Sequence, residues 1–239
     1  MLGIEVKNLT KKYKEKIAVN EIDLKINQGE LFALLGTNGA GKTTTIKMLS
    51  TLILPTDGEI KINGLDILKD RQKIKEILNV SPQETAIAPN LSVKENLEFM
   101  AGVYQIPNQD KKIKELIEIF KLDEVLNQKA KTLSGGWQRK VSIAISLIND
   151  PEILFLDEPT LGLDVIARKE LWTVIEKLKG KITIILTTHY MEEAEKLSDR
   201  IGIMKEGHLL AVGTVEELNR KAGCDDFETT FVSIVKEVV

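Results

Sequence analysis

The segment Gly36 to Thr43, GTNGAGKT, constrains the fold of this chain more than any other stretch. It follows a continuous apolar run, LFALLG, that predicts a buried strand, and it leads into GKTTTIKMLSTL, which predicts a helix. Strand, glycine-rich loop and helix match the phosphate-loop pattern G-x-x-x-x-G-K-[ST]. Glycines let backbone amides face phosphate oxygens, and the positive end of the helix dipole favours the same anion. The pattern predicts a nucleotide phosphate site; the alternative is a glycine-rich turn with only a structural role.

The polar groups of this loop have expected partners. Lys42 is expected to reach the β- and γ-phosphates of the nucleotide, and the Thr43 hydroxyl is expected to coordinate Mg²⁺. The predicted nucleotide-binding residues of this segment are Gly36, Thr37, Asn38, Gly39, Ala40, Gly41, Lys42, Thr43 and Thr44.

A second motif, ILFLDE at residues 153–158, delivers two carboxylates to the end of an apolar strand. Ligands of open α/β sheets bind at the carboxyl ends of the strands, so Asp157 is expected to hold Mg²⁺. Glu158, one residue further, is placed to polarise the attacking water as a general base. Alone, the motif is equally compatible with a structural strand end, but the phosphate loop upstream favours the catalytic interpretation.

A third segment, LSGGWQR at residues 133–139, opens the apolar helix VSIAISLI. One serine and two glycines leave the positive end of the helix dipole uncovered, an arrangement that favours an anion. Because the phosphate loop already supplies one such end, this one is either an ordinary helix start or half of a divided site.

The remaining pattern predicts an α/β chain. Alternation in IEVKNL and IDLKI predicts antiparallel strands, and Asn63-Gly64 between EIKI and LDI favours a hairpin turn. From about residue 71 to 128 helical patterns replace strands, which predicts an inserted helical lobe. After residue 149, strands and helices alternate as in a parallel sheet covered on both faces, and a further hairpin is expected at Glu206-Gly207.

Capping signals and apolar spacing locate several helices. Ser92 with Glu95, and Thr214 with Glu217, have the spacing of capping boxes, so helices are expected to begin there. Spacings of three and four residues predict one apolar face in the lobe and another in the tail. These two faces comprise Ile113, Leu116, Ile117 and Phe120 in the lobe, and Phe227, Phe231, Ile234 and Val238 in the tail.

Composition limits the class of protein. With 239 residues, 43% of them hydrophobic and 29% charged, the chain is not a disordered protein. The net charge of −3 gives no indication of a polyanion binder, so no nucleic-acid partner is expected. The single Cys224 excludes an internal disulfide, and no apolar run reaches the roughly 20 residues that cross a bilayer. The first residues lack a secretory signal, so a cytosolic protein is expected.

The chain resembles the ATP-binding subunits of ATP-binding-cassette (ABC) transporters over essentially its whole length. GTNGAGKTT is similar to the phosphate loop of that family, SPQ to the glutamine loop, LSGGWQRK to the signature, ILFLDEPT to the second nucleotide motif, LGLD to the D-loop and TTH to the histidine switch. The six motifs occur in the family's order, and the signature followed closely by LDEPT is specific to it. Two departures, Thr37 where proline is frequent and the bulky Trp137, remove no phosphate-binding group.

The resemblance implies ATP and Mg²⁺ as bound molecules, and further site residues. Tyr13 matches the aromatic residue that stacks on adenine, Gln83 the glutamine near Mg²⁺ and the attacking water, and His189 the histidine that bonds the γ-phosphate. Asp164 matches the D-loop aspartate that acts across the dimer. The alternative for Tyr13 is a partly exposed strand end, and for Asp164 a local helix cap. The implied catalytic residues are Glu158, His189 and Gln83, and the implied metal ligands are Thr43, Gln83 and Asp157.

The family's head-to-tail pairing of two cassettes implies that the signature residues Ser134, Gly135 and Gly136 of one copy meet the ATP held by Lys42 of the other. A homodimer with two equivalent sites is expected, and a heterodimer is the alternative. The implied fold is an α/β P-loop NTPase with a mixed parallel core sheet, an N-terminal antiparallel β subdomain and an inserted helical subdomain. The expected division places the core and β subdomain at residues 1–83 and 150–213, the helical subdomain at 84–149 and a helical tail at 214–239.

The resemblance also implies a separate integral-membrane permease that receives the motion of the dimer. The chain is expected at the cytoplasmic face of the cell membrane, docked through residues 83–101. The apolar Ile87, Leu91, Val93 and Leu97 there are either a docking groove or ordinary lobe core. The chain is most similar to the branch of drug, sodium and polymer exporters, so export is expected. The alternatives are an importer subunit and a soluble cassette ATPase that works on nucleic acid, ribosomes or cluster assembly.

Overall fold

The computed structural model describes residues 1–236, which form two β-sheets and the helices that pack on them. The strands are β1 (Leu2–Tyr13), β2 (Lys16–Asn27), β3 (Leu31–Gly36), β4 (Asp57–Ile62), β5 (Leu65–Asp66), β6 (Leu78–Ser81), β7 (Ile153–Asp157), β8 (Thr183–Thr188), β9 (Arg200–Lys205) and β10 (His208–Gly213). The helices are α1 (Lys42–Leu49), α2 (Arg71–Ile77), α3 (Val93–Val103), α4 (Gln109–Phe120), α5 (Gly135–Ser146), α6 (Val165–Leu178), α7 (Met191–Leu197), α8 (Val215–Ala222) and α9 (Phe227–Lys236).

The first sheet is antiparallel, with the strand order β2-β1-β4-β5. Its long hairpin, β1 and β2, ends with Tyr13 paired opposite Lys16. Along most of β2, alternate residues are buried, as the period of two predicts. Asn63 and Gly64 have φ angles of 47° and 80°, so both adopt the left-handed conformation of the predicted turn between β4 and β5.

The second sheet has the strand order β10-β9-β3-β8-β7-β6. Strands β9, β3, β8, β7 and β6 run parallel, and β10 pairs antiparallel with β9 through the predicted hairpin. Every residue of β3, β7 and β8 is buried, as expected for central strands of a covered parallel sheet. This order brings the carboxyl ends of β3, β8 and β7 side by side, with Asp157 opposite Thr187. The two sheets confirm the predicted fold class.

One strand lies where the sequence predicts only helix. Residues 78–81, LNVS, form β6 and pair with β7 from Leu78 opposite Ile153 to Ser81 opposite Leu156. Four residues are too few to show the alternation of apolar and polar residues that marks a strand. Their conformation is set instead by pairing with the open edge of β7. The helical expectation for the region starting at residue 71 is therefore wrong over β6, and it holds for α2 before it.

The helices α3, α4 and α5 lie between β6 and β7 in the chain. At the start of α3 the predicted capping box is complete: the Glu95 amide donates to Ser92 Oγ at 3.2 Å, and the Ser92 amide donates to Glu95 Oε2 at 2.7 Å. Of the four residues on the predicted apolar face of α4, three are buried and one is half-buried. The buried residues are Ile113, Leu116 and Phe120, and the half-buried one is Ile117.

The apolar residues expected either to dock a partner or to fill the lobe belong mainly to its core. Val93 and Leu97 are fully buried, so neither is available to a partner. Ile87 is partly buried and packs against the same core, and Leu91 is half-buried. The geometry favours the core interpretation for this set.

The tail helices α8 and α9 pack on each other, and α9 also contacts α7, β9 and β10. The second capping box is present, since the Glu217 amide donates to Thr214 Oγ1 at 3.2 Å and the Thr214 amide donates to Glu217 Oε2 at 3.0 Å. On α9, Phe227 and Ile234 are buried and Phe231 is half-buried. The fourth residue expected on this face, Val238, lies outside the described residues.

Within residues 1–236, none of the helices combines the length and the apolar character that crossing a bilayer requires.

Candidate active site

A cavity of about 480 Å³ opens beside the carboxyl ends of the core strands. It brings together residues from the phosphate loop, from the glutamine loop after β6, from the end of β7 and from the end of β8. The residues that line it are Lys16, Ala18, Asn38, Gly39, Ala40, Gly41, Lys42, Thr43, Thr44, Gln83, Glu158, Leu161 and His189.

The phosphate loop holds its lysine in a fixed position. Lys42 is 5% exposed, and its Nζ donates to the carbonyl oxygens of Gly36 at 2.7 Å and Thr37 at 3.3 Å. Gly41 precedes α1 with a φ of 104°, and a Cβ there would lie 2.6 Å from the Ala18 carbonyl oxygen. Only glycine fits this position, because any side chain meets both a strained backbone angle and a backbone atom. The sequence therefore turns the loop tightly enough to aim the start of α1 into the cavity.

The side chain of Asp157 collects two hydroxyl groups. Thr43 Oγ1 donates to Asp157 Oδ1 at 3.1 Å, and Thr187 Oγ1 donates to the same oxygen at 2.6 Å. Asp157 itself is buried and does not line the cavity, whereas Thr43 and Gln83 do. Hydroxyl and carboxylate oxygens are the hard ligands that Mg²⁺ prefers, and Gln83 carries a further amide oxygen. Mg²⁺ is commonly bound by one or two carboxylates together with substrate phosphates, so this donor set fits the ion.

The carboxylate of Glu158 bridges two basic groups. Its Oε1 lies 3.3 Å from Lys42 Nζ, and its Oε2 lies 2.8 Å from His189 Nδ1. Glu158 has a φ of 48°, a left-handed conformation that is rare for any residue except glycine. Its amide donates to Thr187, both to the carbonyl oxygen at 3.1 Å and to Oγ1 at 3.0 Å. A strained backbone angle at this point aims the carboxylate into the cavity.

Two predicted residues lie at the margin of the cavity. Gln83 is exposed and follows β6, so the glutamine enters from the strand that the sequence does not predict. Tyr13 does not line the cavity and is 46% exposed. Its strand partner Lys16 does line the cavity. Its expected stacking on adenine stays a prediction.

The signature residues and Asp164 do not line the cavity, whereas Leu161, the first residue of the D-loop, does. Ser134 and Gly135 are exposed at the start of α5, where Ser134 Oγ accepts the Trp137 amide at 3.5 Å. Asp164 Oδ1 accepts the amides of Ile166 and Ala167, each at 2.9 Å, so it does cap α6. This cap is the alternative role that the sequence allowed for Asp164. The action of Asp164 across a dimer stays a prediction.

Two buried residues that the sequence does not single out hold the end of β7 in place. Thr187 joins Asp157 to the Glu158 amide. It is the first threonine of the TTH motif, and this is the signal that could have found it. Arg139 is 4% exposed on α5, and its guanidinium donates to backbone carbonyls at the end of β7. Burial lowers the pKa of Arg139 to about 10, and the nearby carboxylates of Asp157, Glu193 and Glu158 oppose this shift.

Behind the cavity, a second carboxyl group is buried. Glu193 on α7 is inaccessible to solvent, and its Oε1 accepts the Trp172 Nε1 proton at 3.0 Å. Burial raises the pKa of Glu193, while the hydrogen bond from Trp172 Nε1 opposes the rise. This part of the chain therefore contains more buried titratable groups than the sequence motifs alone indicate.

Comparison with known proteins relates this geometry to one family. The family model described as ABC transporter matches residues 19–161 of the chain. The chain is 38% identical over 237 residues to the linearmycin resistance ATP-binding protein LnrL of Bacillus subtilis (strain 168), covering 98% of this chain and 76% of that protein. It is 37% identical over 242 residues to the probable multidrug ABC transporter ATP-binding protein YbhF of Escherichia coli (strain K12), covering 98% of this chain and 42% of YbhF.

The chain spans 13% to 42% of the length of the first curated relatives that it matches.

One solved structure shows the same architecture as a dimer. The dimeric structure of the ATP-binding cassette MJ0796 in a post-hydrolysis state, bound to ADP and Pi, superposes with a TM-score of 0.80 at 27% identity. That match covers 88% of this chain and 98% of the solved chain. Motifs, fold and relatives agree: the chain belongs to the ABC transporter family, as an ATP-binding and ATP-hydrolysing cassette.

Proposed function

We propose that this chain hydrolyses ATP between two head-to-tail copies and drives export through a separate membrane permease. The observation that carries the proposal is the position of Glu158. Its carboxylate stands between Lys42 and His189, at 3.3 Å and 2.8 Å, on the wall of the cavity that the phosphate loop lines. A base beside the phosphate site is the arrangement that attack of water on a γ-phosphate requires.

In the proposed mechanism, the loop amides and Lys42 bind the phosphates of ATP. Thr43, Asp157 and Gln83 would hold Mg²⁺, which when bound neutralises charge on the β- and γ-phosphates. Glu158 takes a proton from the attacking water, and His189 orients that water and bonds the γ-phosphate. Tyr13, which is exposed, stacks on adenine.

The second anion-binding helix end is proposed to complete the site of another copy. Ser134, Gly135 and Gly136 at the start of α5 do not line the cavity of their own chain, and Ser134 and Gly135 are exposed. The amides and the dipole of this helix end suit a γ-phosphate held by the partner's loop. The dimeric form of the solved cassette supports this pairing. Asp164 then acts at the same dimer face in addition to capping α6.

The permease is proposed to dock at a groove of about 820 Å³ between the end of α1, the edge strand β6 and the end of α3. Leu52, Val103 and Tyr104 line this groove and are 59%, 58% and 38% exposed, an apolar content typical of interaction sites. Glutamine loop and groove are adjacent, since Pro82 lines the groove and Gln83 lines the cavity. Docking here places the chain at the cytoplasmic face of the membrane and links partner motion to the catalytic residues.

Export is proposed because two relatives carry resistance or multidrug names, LnrL and YbhF. These names describe those proteins, and a permease is the component that selects the substrate of this chain. The relatives do not favour the importer alternative.

The experiment that tests the proposal measures phosphate release from MgATP by the purified chain and by the variant Glu158→Gln. We expect the variant to lose at least about 100-fold in turnover while it still binds ATP, because only the base is removed. The matched control is Glu152→Gln, an exposed glutamate beside the opposite end of β7, which should keep wild-type turnover. Normal hydrolysis by Glu158→Gln would refute the proposed role.

A further inference from the structure

Arg139 is the single arginine of α5 and is deeply buried, and the proposed mechanism does not use it. It lies on α5, the helix that Ser134 caps, and only 4% of its surface is exposed. A buried guanidinium needs several acceptors, because each N–H group that loses water must find another partner. Its acceptors therefore reveal which parts of the chain it holds.

The guanidinium joins two separate segments through their backbone carbonyls. At the end of β7, Nη2 donates to the carbonyl oxygens of Asp157 at 2.7 Å and Glu158 at 2.9 Å, and Nε donates to that of Pro159 at 2.8 Å. At the glutamine loop, Nη1 donates to the carbonyl oxygens of two adjacent residues, Pro82 and Gln83. One side chain of the signature helix thus fixes the backbone of both the proposed base and the glutamine loop.

The backbone at Glu158 needs such support. Its φ of 48° is a left-handed conformation that a glutamate adopts at a cost, and it persists only where the surroundings over-determine it. On one side, the Glu158 amide donates to Thr187. On the other side, Arg139 binds the carbonyls of Asp157, Glu158 and Pro159, so the strained residue is held from both directions.

We propose that Arg139 is a positioning residue for hydrolysis: it holds the strained backbone of Glu158 and the glutamine loop in register with the start of α5. The inference rests on the proposed function in taking Glu158 as the base. Through Arg139, the position of the helix that Ser134 caps determines where the Glu158 carboxylate and Gln83 stand. A lysine does not replace it, because one ammonium group lacks the planar fork that reaches five carbonyls at once.

The test compares Arg139→Lys with Lys140→Met, its matched control. Lys140 is the next residue of α5 and is 7% exposed, but it pairs with Glu170 at 2.6 Å outside the cavity. We expect Arg139→Lys to lower kcat by about tenfold or more, since small misplacements of reacting groups carry losses of that size. The dissociation constant for MgADP should change by less than about twofold, because the phosphate loop is untouched. Lys140→Met should keep kcat and affinity.

Hydrogen–deuterium exchange gives a readout that is independent of activity. In Arg139→Lys, the amides of residues 83–86, 157–158 and 160–161 should exchange faster than in the wild type, while those of β9 keep their rate. Arg139→Gln, which buries no charge, serves if the lysine variant does not fold, and the same two segments should loosen. Unchanged kcat, unchanged exchange in both segments, or equal losses of kcat and MgADP affinity would each overturn the inference. Full activity of Glu158→Gln would instead overturn the proposed function, and the exchange result would stand.

Discussion

Two helices of this chain begin with glycine-rich turns, and their surroundings differ sharply. The start of α1 faces a cavity lined by a buried lysine and a bridging glutamate, and its Thr43 is hydrogen-bonded to an aspartate that accepts two hydroxyls. The start of α5 is exposed at Ser134 and Gly135 and lies outside that cavity. Backbone amides and dipole are alike at the two ends, so the difference lies in side chains. The first end is a site by itself, whereas we propose that the second becomes one only against another copy.

The largest effect should follow from damage to the first helix end. Lys42→Met removes the cation that binds the phosphates and leaves Glu158 without its partner at 3.3 Å. Hydrogen bonds to charged groups are worth about 1.5–3 kcal/mol, so ATP affinity should fall roughly 10- to 100-fold and turnover should fall below detection. Calorimetric titration with ATP measures the affinity. The control is Lys47→Met, an exposed lysine in the last turn of α1, and comparable loss there would contradict the account.

Damage to the second helix end should separate hydrolysis from binding. Ser134→Ala removes a donor to the partner's γ-phosphate, and loss of one such donor reduces turnover by about 100-fold in comparable sites. Nucleotide affinity of the monomer should stay within about twofold, because the phosphate loop is intact. Ser92→Ala is the matched control: it also removes a serine cap, from α3, at a similar cost of about 1 kcal/mol in stability. An equal fall of affinity and turnover in Ser134→Ala would argue that the site is not divided.

The smallest effect concerns the buried carboxyl group of Glu193 on α7. Burial raises the pKa of Glu193 above 4.5, the value of an exposed glutamate, so the native state keeps this proton to higher pH than the unfolded chain. Stability from this group is fully present below pH 4.5 and is lost as pH rises through the native pKa. Glu193→Gln stays neutral and keeps an acceptor for Trp172 Nε1. Its melting temperature relative to wild type should rise across this window, by roughly 2–4 °C for each kcal/mol, and a falling difference would refute the assignment.

Local signals in the sequence account for much of the fold. Both capping boxes form because serine or threonine and glutamate satisfy free amides within a single turn, with no help from distant residues. The hairpin at Asn63-Gly64 forms for an equally local reason. The strand β6 was not predictable, because its four residues gain their conformation from the neighbouring strand β7.

The site residues also fall into those that local sequence signals predict and those that they do not. Two contiguous motifs predict most of the site: the phosphate loop with Lys42 and Thr43, and the two carboxylates at the end of β7. Arg139 contacts residues that lie 18 to 57 positions away in the chain, and Thr187 contacts residues 29 and 30 positions away. No local sequence pattern indicates contacts over such distances. For Val93 and Leu97 the sequence left both a docking groove and ordinary lobe core open, because their burial depends on how α3 packs in the lobe.

The central claim, that the exposed start of α5 meets the phosphate loop of another copy, is tested most directly by cross-linking. In a Cys224→Ser background, Asn38→Cys marks the exposed phosphate loop and Gly135→Cys marks the start of α5, where an added Cβ meets no atom within 4 Å. The two single-cysteine proteins are mixed with MgATP in the Glu158→Gln form and oxidised. We predict a disulfide between position 38 of one chain and position 135 of the other, dependent on ATP. Only like-with-like disulfides, or none with ATP present, would contradict the account.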